Sequence, residues 1–212
     1  DCSASVLFGT VRQQKRDLAA ELGAVLALSA ITNNDKVGLL VFSERIERYI
    51  APRKGRNHVL RLIRDLLAAQ PTRKGTDLAL ALRTLNRVLH RRAIVFVLSD
   101  FLAPADEYAT ELMLIGRRHD VVAVALHDPL ERRWPVSGLV GLRDAETGLV
   151  IWADTTSSEW REGFSAQAAR FAQIRDDTLA RAQVDQIAIP VDGDYVQTLI
   201  AFFRRRERRL RA

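Results

Sequence analysis

The chain has 212 residues, of which 48% are hydrophobic and 27% charged, with a net charge of +6. That balance excludes a disordered chain, and the length suits one α/β domain whose sheet is covered on both faces. The only cysteine, Cys2, excludes an intramolecular disulfide, and no run reaches the ~18 apolar residues of a membrane span.

Leu18, Leu22, Val25 and Leu26 recur at helical spacing and predict a long helix over Val11 to Thr32, broken by Asn33-Asn34-Asp35. Lys36 to Phe42 is a short apolar run that reads as a buried strand. Arg45 to Ile50 alternates polar and apolar residues, which suits an edge strand paired to the first as a hairpin. Two amphipathic helices follow. Asn57 to Ala69 turns Val59, Leu60, Ile63, Leu66 and Leu67 inward, and Asp77 to Leu89 turns in Leu78, Leu82, Leu85 and Val88.

Ala93 to Leu98 is the clearest central strand. A helix over Tyr108 to Gly116 leads to a second central strand at Val121 to Leu126. Gly138 to Leu142 and Leu149 to Trp152 flank a glycine-bearing turn and predict a hairpin, inserted at about residues 128–156. Ser157 to Gln183 is helical, Gln186 to Pro190 is a last strand, and Asp192-Gly193-Asp194 opens a C-terminal helix. Strands alternating with helices imply a mostly parallel sheet with one antiparallel edge strand and helices on both faces. The expected unit is a single domain over 1–212 whose first strand lies upstream of Asp1. Localisation is expected to be cytoplasmic, with room for membrane attachment through such an upstream segment.

Three segments share the strand-to-helix junctions where open α/β sheets bind ligands. They are Asp1-Cys2-Ser3-Ala4-Ser5, Lys74-Gly75-Thr76-Asp77 and Ser99-Asp100. Asp1, Ser3 and Ser5 alternate along the chain and so point the same way. Their hydroxyls and carboxylate, with Thr76 and Asp100, form an oxygen set suited to Mg²⁺ or Mn²⁺. Asp77 reads as a helix cap instead. Cys2 alternates away from the hydroxyls and reads as a small buried residue.

These five positions resemble the metal-ion-dependent adhesion site of von Willebrand factor A domains. A second resemblance spans nearly the whole chain. Ser5 to Gly9, Asp35-Lys36-Val37-Gly38-Leu39, Ser99-Asp100-Phe101, His127-Asp128-Pro129-Leu130-Glu131 and Asp144-Ala145-Glu146-Thr147-Gly148 look like the domain-of-unknown-function family numbered fifty-eight. It implies a von Willebrand factor A or Rossmann-like fold and a bacterial, non-enzymatic adaptor working beside a MoxR-type AAA ATPase. A partner's Asp or Glu would complete the metal site. Asp128 and Glu131, in a loop at a strand end, are candidate partner contacts.

Two other functions are open to these residues. A phosphatase using Asp1 as nucleophile would need a second acid where Ser3 stands. A nucleic-acid binder would use Arg204, Arg205, Arg206, Arg208, Arg209 and Arg211, but no aromatic residue is interleaved with them to stack on bases.

Overall fold

The computed structural model describes residues 1–9, 13–70, 75–145 and 147–211. A short 3₁₀ turn, Ala4–Leu7, is followed by helix α1 (Lys15–Thr32). Strands β1 (Val37–Phe42) and β2 (Ile46–Arg53) lead to helices α2 (Arg56–Leu67) and α3 (Leu78–Val88). Strand β3 (Ile94–Ser99), helix α4 (Ala105–Arg118) and strand β4 (Asp120–His127) come next. A 3₁₀ turn at Pro129–Glu131 then precedes β5 (Leu139–Arg143) and β6 (Val150–Asp154). Helix α5 (Ser158–Arg181), strand β7 (Asp185–Pro190) and helix α6 (Tyr195–Arg211) complete the chain. The protein is α/β.

Strand β4 explains the layering. Its side chains alternate between two faces, and both are buried, which is why it reads as an unbroken apolar run. Val121, Ala123 and Ala125 join Val95, Val97, Leu82, Leu112, Ile115 and Leu179 in a core under α3, α4 and α5. Val122, Val124 and Leu126 face the other way, with Ile187 and Ile189, into a core under Leu18 and Leu22 of α1 and Leu199 and Phe202 of α6. A smaller cluster of Ala27, Val59 and Leu62 seats α2 against α1.

The strands form three sheets among the described residues. Strands β3, β4 and β7 pair in parallel in the order β3-β4-β7. Strands β1 and β2 form an antiparallel ladder, and β5 and β6 another. The single sheet expected from the alternating pattern is therefore divided, because β1 and β3 are not paired to each other. Phe42 of β1 packs in the same core as Val95 and Val97 of β3, and the start of the chain hydrogen-bonds to both strands. The backbone nitrogen of Cys2 donates to the Phe42 carbonyl at 2.8 Å, and that of Asp1 to the Leu98 carbonyl at 3.1 Å.

Three details differ from the sequence reading. Helix α4 begins at Ala105, three residues before the expected start at Tyr108. Pro104 sets its first turn, and Asp106 and Glu107 there favour the positive end of the helix dipole; these polar residues hid the helix from an apolar pattern. Leu60 and Leu67 of α2 are exposed, since Val59 and Leu62 already fill the face toward α1. Val25 of α1 is likewise exposed. The part of the expected first helix at 11–12 lies outside the described residues. No described helix is long and apolar enough to cross a membrane.

Candidate metal centre

The Asp1–Ser5 loop folds upon itself. Oδ1 of Asp1 accepts from the Ser3 backbone nitrogen at 2.9 Å and from Ser3 Oγ at 2.7 Å. Ser3 Oγ lies 3.1 Å from Ser5 Oγ. With the Ser3 proton given to Asp1, the Ser5 hydroxyl donates to Ser3. Oδ2 of Asp1 accepts from Ser99 Oγ at 2.5 Å, which joins this loop to the end of β3. Simple helix capping does not describe these serines. Ser3 makes no side-chain cap bond, and α1 is preceded by Gln14. Cys2 points into the core, where burial pushes its thiol pKa up, so it is no ready nucleophile.

Thr76 reaches the same corner by a different route. It precedes Asp77, whose side chain caps α3 by accepting from the Leu80 nitrogen at 2.7 Å. The Asp77 nitrogen donates to the Ser43 carbonyl at 2.9 Å. The Thr76 segment is thus tied to the residue that follows Phe42, to which Cys2 is tied. Lys74 lies outside the described residues.

Asp100 follows Ser99 and is nearly buried. The chain turns sharply here: Phe101 has φ of +54°, a left-handed conformation that costs a non-glycine residue about 1 kcal/mol or more. The turn is held because the Phe101 nitrogen donates to Ser99 Oγ and its ring packs edge-on against Tyr108. Oδ1 of Asp100 accepts from the Leu102 nitrogen at 3.3 Å. Oδ2 accepts from Lys15 Nζ at 2.8 Å, and the same ammonium donates to Glu131 Oε1 at 2.5 Å. The Lys15 side chain is 0% exposed. Burial works against its charge, but Asp100 and Glu131 outweigh that and hold its pKa above the ordinary lysine value.

Asp128 and Glu131 form a reciprocal cap. Asp128 accepts from the Leu130 nitrogen at 2.8 Å, while Glu131 Oε2 accepts from the Asp128 nitrogen at 2.9 Å. Asp128 is buried, and Glu131 turns toward Lys15. Next to Asp100 and Glu131 opens a cavity of about 250 Å³, lined by Phe101, His127, Phe164, Phe171 and Arg175. Burial, with Arg132 and Arg175 nearby, pushes the His127 pKa down to about 4, so this ring is neutral at physiological pH.

The structure therefore brings Asp1, Ser3 and Ser5 into contact, places Asp100 one residue from Ser99, and holds the Thr76 segment at the end of β1. Only oxygen donors converge in the Asp1–Ser5 loop. Among the described residues no group of three or more His, Cys, Asp or Glu could hold a metal ion. A cation here would have to rely on hydroxyls, which suit a hard ion such as Mg²⁺. Sequence reasoning missed Lys15 and Ser99 as members of the site. Ser99 stands beside Asp100 and could have been read with it. Lys15, in the run Gln13-Gln14-Lys15-Arg16, carries no signal that separates it from a solvated helix start.

The family described as "protein of unknown function DUF58" matches residues 1–173. The chain belongs to that family. It is 29% identical over 210 residues to the uncharacterized protein Rv1480 of Mycobacterium tuberculosis, covering 98% of this chain and 66% of that protein. An uncharacterized protein of Mycobacterium avium is 30% identical over 161 residues, covering 75% of this chain and 94% of the relative. The chain thus spans just under two thirds of the length of the longer relatives. Two solved structures share the fold at 18% identity. One is the conserved hypothetical protein BatB from Bacteroides thetaiotaomicron, with a TM-score of 0.54 over 95% of this chain and 91% of that one. The other is an aerotolerance-related membrane protein from Bacteroides fragilis, with a TM-score of 0.59 over 94% and 92%.

Proposed function

We propose that this DUF58 chain is a von Willebrand factor A-type interaction domain that recognises a partner through a divalent cation. Asp1, Ser3, Ser5, Thr76 and Asp100 would hold Mg²⁺ or Mn²⁺ at the C-terminal end of β3. The ion would supply an electrophilic position that accepts an Asp or Glu of the partner. The carrying observation is the joining of the Asp1-Ser3-Ser5 oxygens to the Ser99-Asp100 strand end through the 2.5 Å Ser99–Asp1 bond. That bond joins two chain segments at the end of a central strand, where open α/β sheets bind ligands, and the Asp77 bond to Ser43 brings the Thr76 segment to the end of β1. The partner proposed is a MoxR-type AAA ATPase or its client, and the role is that of an adaptor in maturing other proteins. No reaction at this site is proposed.

The test is calorimetric titration of Mg²⁺ and Mn²⁺ into the full-length protein, beside Asp100→Ala. Saturable binding lost in the variant supports the site. No binding to a well-folded wild type rejects it. Co-purification of the ATPase in Mg²⁺ and its loss in chelator would then support the partner, and retention in chelator would reject a metal-bridged contact.

A further inference from the structure

Lysine is almost never fully buried unless it is paired, and Lys15 stands out for a second reason. It is the first residue of α1, where the helix dipole disfavours a cation. What holds the ammonium there is Asp100 on one side and Glu131 on the other. Asp100 is also the aspartate assigned to the metal. Both of its oxygens are already in use, Oδ2 by Lys15 and Oδ1 by the Leu102 nitrogen. The Asp1 half of the site contrasts with this. Its carboxylate accepts from Ser3 and Ser99, and among the described residues no basic side chain is bonded to it.

We propose that Lys15 is a tethered cation that competes with the divalent ion for Asp100, so that the metal site stays latched until the ammonium lets go. The proposal rests on the metal-site reading above and adds its regulation. A Mg²⁺ ion sits about 2.0–2.1 Å from the oxygens it binds, or holds them through its waters. In either case it must share Asp100 with an ammonium now 2.8 Å from Oδ2. Two cations on one buried carboxylate repel each other strongly, because little water screens them. Glu131 gives the released ammonium a place to remain. It already accepts from Lys15, its side chain is 22% exposed, and the Asp128 cap fixes its other oxygen. The two states are then Lys15 bridging both carboxylates, and Lys15 on Glu131 alone with Asp100 given over to the metal. Since Asp100 and Glu131 also line the neighbouring cavity, anything seated there is placed to favour one state over the other.

The experiment is calorimetric Mg²⁺ titration of full-length wild type and Lys15→Met, which keeps length and removes charge. Metal affinity should rise by about tenfold or more in the variant. Equal or weaker affinity in a folded Lys15→Met that still binds Mg²⁺ overturns the latch and leaves the metal site standing. No Mg²⁺ binding in either protein rejects the metal site itself, and the latch with it. The chain contains only four lysines, so the ammonium resonance of Lys15 can be followed directly in wild type by nitrogen-resolved NMR. That reading does not depend on the variant folding. The resonance should shift as Mg²⁺ saturates the protein, and an unmoved signal at saturation overturns the proposal.

Discussion

Replacing Asp100 by Asn tests how much of the fold depends on the buried ion pair, apart from any metal. The side chains of Lys15 and Asp100 are 0% and 2% exposed, so neither charge can turn to water when its partner is removed. Removing one member of a buried pair costs about 3–5 kcal/mol, because the survivor stays charged in a poorly solvating site. In Asp100→Asn the ammonium keeps Glu131, which places the expected loss near the lower end, at about 3 kcal/mol. For a chain of this size each kcal/mol moves Tm by roughly 2–4 °C, so a fall of about 6–12 °C is expected. The assay is thermal and urea unfolding followed by circular dichroism, in chelator so that no metal contributes. The double variant Lys15→Met with Asp100→Asn removes the stranded charge with its partner and should recover part of the loss. The pH sign follows from the raised Lys15 pKa. The pair's contribution is complete at neutral pH and is lost only as pH climbs above 10.5 through the folded-state value. An Asp100→Asn protein within about 0.5 kcal/mol of wild type in chelator would refute the reasoning, since only a hydrated or unformed pair behaves so.

Further expectations concern the surroundings. His127 has its pKa lowered from 6.5 to about 4, so the unfolded chain takes up its proton first as pH falls. Its stabilising contribution is complete above about pH 6.5 and is lost as pH falls toward 4; His127→Gln should flatten that part of the stability profile, and an unchanged profile contradicts the assignment. Tyr108 is buried, and among the described residues its hydroxyl has no hydrogen-bond partner, so Tyr108→Phe should leave Tm unchanged or raise it. A loss above about 1 kcal/mol would reveal a partner for that hydroxyl. Leu112→Ala, at a fully buried site under α4, should cost about 2–5 kcal/mol in urea unfolding, and a smaller loss would mean the core can close around the cavity. Gly116→Ala would place a Cβ 2.8 Å from the Ala182 carbonyl, so α4 must shift from the α5 end at a cost of about 1–3 kcal/mol in the same assay; a neutral result would show that this contact yields freely.

Much of this architecture could be read from residue spacing, because the central strands carry their own signal. Strand β4 is apolar on both faces and can only be interior, and Asp77 before an amphipathic run marks the start of α3. The Asp1-Ser3-Ser5 cluster was legible from the spacing of its oxygens, although the alternation of an extended segment is not what joins it: the chain enters a 3₁₀ turn at Ala4, and Ser3 and Ser5 meet there. Lys15 was not legible. A lysine beside arginine at a helix start looks solvated, and only the fold brings residues 85 and 116 positions away to either side of it. Phe101 was equally silent, since a left-handed phenylalanine follows from the Ser99 bond and the Tyr108 ring, not from its own preference. The break between β1 and β3 depends on pairing between distant segments, which apolar alternation does not encode.

The Asp1-Cys2 stitch has a mechanical consequence. One end of this dipeptide is fastened to Leu98 and the other to Phe42, so it bridges two ladders that share a core but no strand pairing. Asp100 rides with the ladder that carries Leu98, while Ser43, and through it the Thr76 segment, rides with the other. A slip of one ladder past the other would therefore pull the oxygen cluster apart at its middle. An ion gripping both sides would act as a rivet, turning a local binding event into rigidity across the width of the molecule. Hydrogen exchange at the amides of Cys2 and Asp77 would register that stiffening.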